Sequence, residues 1–73
     1  HELAKEAIRH GLRADPDNGT LRRDELLLAR AQADAEELED VMREVERVAD
    51  EAGIAVDPIT VETYRSAQEA LAG

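Results

Sequence analysis

The apolar positions of this chain fall at helical spacing almost from end to end. Leu3, Ala4, Ala7, Ile8, Gly11 and Leu12 recur three and four apart. That pattern predicts a helix over about 2–13, with Lys5, Glu6, Arg9 and Arg13 on its other face. Asp15, Pro16, Asp17, Asn18 and Gly19 stop it. The residue before a proline is pushed out of the α region, and Asn-Gly favours a turn. The same five residues have the look of an acidic ion loop, but the turn reading accounts for each of them.

A second helix is predicted over about 20–33, capped by Asn18 or Thr20. Its apolar residues, Leu21, Leu26, Leu27, Leu28, Ala29, Ala31 and Ala33, cover more than one stripe. Such a helix meets neighbours on two sides. Asp34 with Glu37 three residues on is a capping-box start for a third helix over about 35–52. Glu36, Glu37 and Glu39 place negative charge near the positive end of its dipole. Leu38, Val41, Met42, Val45, Val48, Ala49 and Ala52 form one stripe, and Glu39→Arg43 is a favourable spacing pair on the polar side. That stripe reads as core. As a coiled-coil seam it runs only about two heptads, short of the three or four that such a seam needs.

Gly53 is a natural left-handed helix end. Ile54, Ala55 and Val56 are too few for a strand and predict an extended crossing, with Ile54 and Val56 tucked against helices. Asp57 caps and Pro58 opens a fourth helix over about 58–71, where the missing proline N–H costs nothing. Val61, Tyr64, Ala67 or Gln68, and Leu71 give its inward face. Tyr64 is the one aromatic residue, expected to anchor the last helix on the third. The whole pattern is all-α, with no strand period.

Composition changes this picture in three ways. The chain of 73 residues is one domain at most, and such a size is marginal in isolation. The net charge of −9 argues against direct binding to nucleic acid and against an anionic membrane surface. Cysteine is absent, which removes disulfides and thiolate metal sites and fits a cytoplasmic setting. No apolar run approaches the roughly 18 residues of a membrane helix, and no signal peptide is visible. The chain begins within a helical pattern at His1 and without Met. That predicts a piece of something longer.

Candidate chemistry is sparse. His1 and His10 lack further ligands at metal spacing. The acidic run Glu36, Glu37, Glu39, Asp40, Glu44 lacks the glycine-centred loop that wraps calcium and reads as a solvated face. Ser66 and the threonines have no nearby His to activate them, and no glycine-rich phosphate loop is present. No catalytic, cofactor or metal residue can be named, so the chain is not read as an enzyme.

Two resemblances bear on architecture. Ala4, Ile8, Gly11 and Pro16 follow the small-x3-aliphatic-x2-small-x4-Pro spacing of the second helix of a tetratricopeptide repeat. Leu38, Met42 and Val45 repeat it, with Asp50 in place of proline. Gly53, Ile54, Pro58, Thr60, Tyr64 and Arg65 resemble the C-terminal end of the bacterial transcriptional activator domain. Asp15-Pro16-Asp17-Asn18 and Leu21-Arg22-Arg23 are similar to that family in its order. Departures fall at Val56 and Asp57, where the family tends to have proline and serine, and at Ala33-Asp34, where it usually has Gly-Asp.

The resemblance implies a tetratricopeptide-like stack of about four antiparallel helices, residues 1–73 being the C-terminal part of a larger domain. Family members usually follow a winged-helix DNA-binding domain in actinobacterial regulators. Others sit beside cell-wall-binding or membrane segments and have no transcriptional role. The implied role is self-association and regulation of transcription through protein contacts, without cofactors and without nucleic acid on this segment. About three helical repeats are needed to cover their own apolar faces, and this chain holds roughly one and a half. Leu3, Ala7, Leu21 and Leu28 are therefore the candidate partner or packing surface, with Tyr64 a further candidate. The expected occupants are upstream helices, a second copy of the chain, or another protein.

Overall fold

In the computed structural model the chain forms four helices: α1 (Glu2–Ala14), α2 (Gly19–Ala31), α3 (Ala35–Ala52) and α4 (Pro58–Ala72). The structure describes residues 2–16 and 18–73. The expectations at His1, and at Asp17 within the turn, lie outside the described residues. No strand occurs among the described residues, so the chain is all-α.

α2, α3 and α4 each start where a side chain accepts from a free backbone N–H. Asn18 Oδ1 accepts from Leu21 N at 3.1 Å, and Asp34 Oδ1 accepts from Glu37 N at 3.0 Å. Asp57 Oδ1 accepts from Ile59 N at 3.0 Å, with Pro58 in the first turn. These acceptors satisfy amides that have no partner inside the helix.

Two helix ends close in the same way. At the end of α3, Gly53 takes φ 69°, its N–H reaches Asp50 O, and Ile54 N–H reaches Ala49 O. At the end of α2, Ala33 takes φ 54°, its N–H reaches Arg30 O, and Asp34 N–H reaches Ala29 O. Both are Schellman closures, in which a left-handed residue turns the chain back on the last free carbonyls. This closure ends α2 at Ala31, two residues before the point that the apolar pattern predicts. It also makes Asp34 the last residue of one motif and the cap of the next helix.

The core lies between α2, α3 and α4. Leu26, Ala29, Leu38, Val41, Met42, Val45 and Ala67 form it, and Val56, Val61, Tyr64 and Leu71 pack against it. The α3 stripe is therefore internal, as its spacing predicts, down to Ala49. Ala52, in the last turn before the chain leaves at Gly53, is exposed. α4 packs on both α2 and α3, whereas α1 packs on α2 alone, burying Ile8 and Leu12.

Two polar residues are buried where the sequence reads as surface. Arg22 Nε donates to Pro16 O at 3.1 Å and its Nη1 to Glu25 Oε1 at 2.9 Å. Thr60 is buried on α4, and its Oγ1 accepts from Arg23 Nη1 at 3.4 Å. One expectation at the crossing is corrected. Val56 packs on the core, but Ile54 stays 55% exposed. It sits at the rim of a crevice beside Val48 and Ala49, with nothing over its outer side.

Candidate functional site

Because α1 packs on α2 only, the side of this pair turned away from α3 is open. Ala4, Ala7, Leu21, Leu27, Leu28 and Ala31 line a groove of about 520 Å³ there, with Asp24 at its edge. Three of the predicted surface residues, Ala7, Leu21 and Leu28, thus come together. Leu3 is 87% exposed on α1 but does not line the groove. Gly11 sets how closely the two helices approach: a Cβ built there would lie 2.6 Å from Leu21 Cδ1.

A second open groove runs along the other side of α2. Leu27, Arg30, Pro58, Ile59, Thr63 and Ser66 line it. Leu27 belongs to both grooves and joins them into one front face. Leu27 is 48% and Ile59 62% exposed. With Leu3 and Ile54 they are the exposed large apolar side chains among the described residues. The sequence reading did not single out Leu27 or Ile59. Leu26-Leu27-Leu28 carried the missing signal. Consecutive helical residues point about 100° apart, so three in a row cannot share one buried side.

Charge is arranged on the opposite part of the molecule. α3 carries Glu36, Glu37, Glu39, Asp40, Glu44, Glu46, Asp50 and Glu51. Arg47 pairs with Glu44 and with Glu51, the latter at 2.6 Å, and Arg43 pairs with Asp40. The hydrogen bond from Arg47 holds the Glu44 carboxyl below its ordinary range and strengthens the hold of Arg47 on its proton. The Glu39–Arg43 pair expected from spacing is not formed, because Glu39 turns to α4 instead.

There Tyr64 Oη donates to the Glu39 carboxylate, 2.7 Å from each oxygen. Gln68 Nε2 donates to Tyr64 Oη at 2.8 Å. Glu39 above all, and then partial burial, push the Tyr64 phenol up to about 12. Tyr64 therefore anchors α4 on α3, at a distance from the front face. Of the five candidate residues it is an internal contact, while the other four lie on α1 and α2.

Chemistry of other kinds finds little footing. Among the described residues no three His, Asp or Glu side chains gather as metal ligands, and no buried side-chain N or O lacks a partner. No helix among them is long and apolar enough to cross a membrane. What the front face can do is bury apolar surface. No family model, curated protein or solved structure matches this chain.

Proposed function

We propose that the chain is a protein–protein interaction module whose docking surface is the front face of α1, α2 and α4. One observation carries this reading: Leu27 and Ile59 stand exposed in two joined grooves, while acidic residues are concentrated on α3. Exposed apolar patches rimmed by polar residues mark interaction sites. The packing order supports a tetratricopeptide-like stack. Each helix lies on the next, and α4 lies across both α2 and α3 as an added layer would.

A regulatory setting in a bacterial transcription factor is the second part of the proposal. It rests on the resemblance at Gly53, Ile54, Pro58, Thr60, Tyr64 and Arg65. Ala33 supports it: this alanine holds the left-handed conformation at the position where that family usually has glycine. In this reading the module is cytoplasmic and acts on transcription through protein contacts.

The test is affinity capture with the wild-type chain and with Leu27→Glu. The substitution puts a charge at the junction of the grooves and leaves the core untouched. The expected result is that proteins retained by the wild type, including added copies of the chain itself, are lost roughly tenfold or more in the variant. Equal retention by both would overturn the reading, as would salt-sensitive binding of duplex DNA in place of protein.

A further inference from the structure

We infer that Asn18-Gly19 is a self-modification site that the fold keeps closed. It converts to aspartate and isoaspartate when the first turn of α2 opens, and the isoaspartate form loosens α1 from the rest of the chain. Asn18 is the only asparagine in the sequence, and a glycine follows it. In such a pair the backbone nitrogen of Gly19 attacks Cγ of Asn18, since glycine has no Cβ to crowd the approach. The Gly19 N–Cγ bond forms and the Cγ–Nδ2 bond breaks. The proton of the Gly19 nitrogen leaves with the side-chain amide as ammonia. Water then opens the five-membered imide at one of its two carbonyls. Opening at Cγ leaves aspartate. Opening at the backbone carbonyl leaves isoaspartate, whose main chain runs through Cβ and Cγ. Water is the only co-reactant.

The folded chain blocks the first step. The ring closes only when Gly19 N and Asn18 Cγ lie on the same side of the Asn18 Cα–C bond. At ψ 103° the nitrogen is on the far side of that bond from the side chain. Two side-chain hydrogen bonds keep the amide in place: Oδ1 accepts from Leu21 N at 3.1 Å, and Nδ2 donates to Asp15 Oδ2 at 3.3 Å. The backbone is held too, as Asn18 O accepts from Arg22 N at 3.0 Å and Asn18 N donates to Asp15 O at 3.1 Å. Arg22 is buried and tied to Pro16 O. Rotation about the Cα–C bond therefore breaks the cap and the first turn together, and conversion follows the opening of this turn. Isoaspartate then adds a methylene to the backbone at the cap. The bonds to Leu21 N and Arg22 N cannot both keep their geometry around it. Leu21 is the residue that Gly11 approaches, and α1 packs on α2 alone. The change thus falls on the attachment of α1, while the core between α2, α3 and α4 lies beyond it.

The test is incubation of the whole chain at neutral pH, in buffer and in denaturing urea, with residue 18 followed by intact mass and peptide mapping. Asn18 is expected to convert in urea, and roughly tenfold or more slowly in buffer. Arg22→Met removes the tie to Pro16 O. It is expected to speed conversion in buffer at least about threefold and to leave the rate in urea unchanged. Gly19→Ala is expected to slow conversion in urea, where only the reacting pair matters. The isoaspartate form, isolated by reversed-phase chromatography and refolded, is expected to exchange its α1 amides with deuterium roughly tenfold faster than wild type, with α3 little changed. Asn18→Asp keeps a capping oxygen and is expected to hold α1 protection within about threefold of wild type. No conversion of Asn18 in urea, or equal rates in urea and buffer, would overturn the closed site. Equal α1 exchange in the isoaspartate form and the wild type would overturn its effect on α1.

Discussion

The hydroxyl of Tyr64 sits 2.7 Å from both oxygens of Glu39, twenty-five residues earlier in the chain. This contact fixes α4 on α3 and gives the fold an alkaline signature. The phenol is raised from 10 to about 12, so the native state holds a proton that the unfolded chain releases. The stability gained is present below pH 10 and is lost as pH rises from 10 toward about 12. Tyr64→Phe is expected to lower stability at neutral pH by about 0.5–1.5 kcal/mol, the usual worth of one hydrogen bond. The variant should also lack the part of the alkaline loss that the wild type shows. Melting curves of both proteins from about pH 8 to about pH 12 check this. Parallel curves would show that the phenol does not titrate differently on folding.

The two Schellman closures give a paired experiment. A Cβ added at Gly53 meets nothing within 4 Å, so Gly53→Ala pays only for φ 69°. The expected cost is about 1 kcal/mol. Ala33 already bears that penalty at φ 54°. Ala33→Gly is therefore expected to stabilise the chain, by up to about 1 kcal/mol. Equilibrium denaturation of the two variants should shift in opposite directions. Shifts of the same sign would mean that glycine's extra freedom in the unfolded chain outweighs the local conformational gain at one of the sites.

Much of this architecture was legible because its causes are local. Asp34, Gly53 and the Asp57-Pro58 step act on amides and carbonyls within a few residues, so sequence spacing locates them. The α3 stripe was readable for the same reason, as period and burial coincide along one continuous helix. What escaped depends on neighbours distant in sequence. Glu39 has a correctly spaced Arg43, yet Tyr64 and Gln68 compete for its carboxylate from another helix. Leu27 was hidden in a leucine run, where composition says buried and geometry says that one residue must point outward.

Arg22 is the clearest residue whose burial sequence reading passes over. It is 8% exposed and ties the α1–α2 turn, through Pro16 O, to Glu25. Arg22→Met keeps much of the apolar stem but leaves Glu25 partly buried with no cation and Pro16 O with no donor. The expected loss is about 2 kcal/mol, between that of a hydrogen bond to a charged group and that of a broken buried pair. Adding Glu25→Gln should recover part of it, because the unpaired charge is then gone. Urea unfolding of the single and double variants measures the coupling. Strict additivity would show that Arg22 acts by packing alone.

Asp57 holds two jobs that can be separated. Its Oδ1 caps α4 through Ile59 N, and its Oδ2 takes a hydrogen bond from Arg23 Nη1 at 2.9 Å, linking α4 to α2. The cap is a contact that any short oxygen-bearing side chain can make. The ion pair is half-open to water, with side-chain exposures of 24% for Arg23 and 44% for Asp57. Such pairs are worth about 0.2–1 kcal/mol and are screened by salt, whereas a lost cap costs about 1 kcal/mol at any ionic strength. Asp57→Ala removes both and is expected to cost about 1–2 kcal/mol. Asp57→Ser keeps the cap and should cost less than about 1 kcal/mol. That smaller cost should shrink toward zero as salt is raised to about 1 M, while the difference between the serine and alanine variants stays constant. Thermal melts of the three proteins at low and high salt decide it. A salt-dependent gap between serine and alanine would place the main role of Asp57 in its charge and not in the cap.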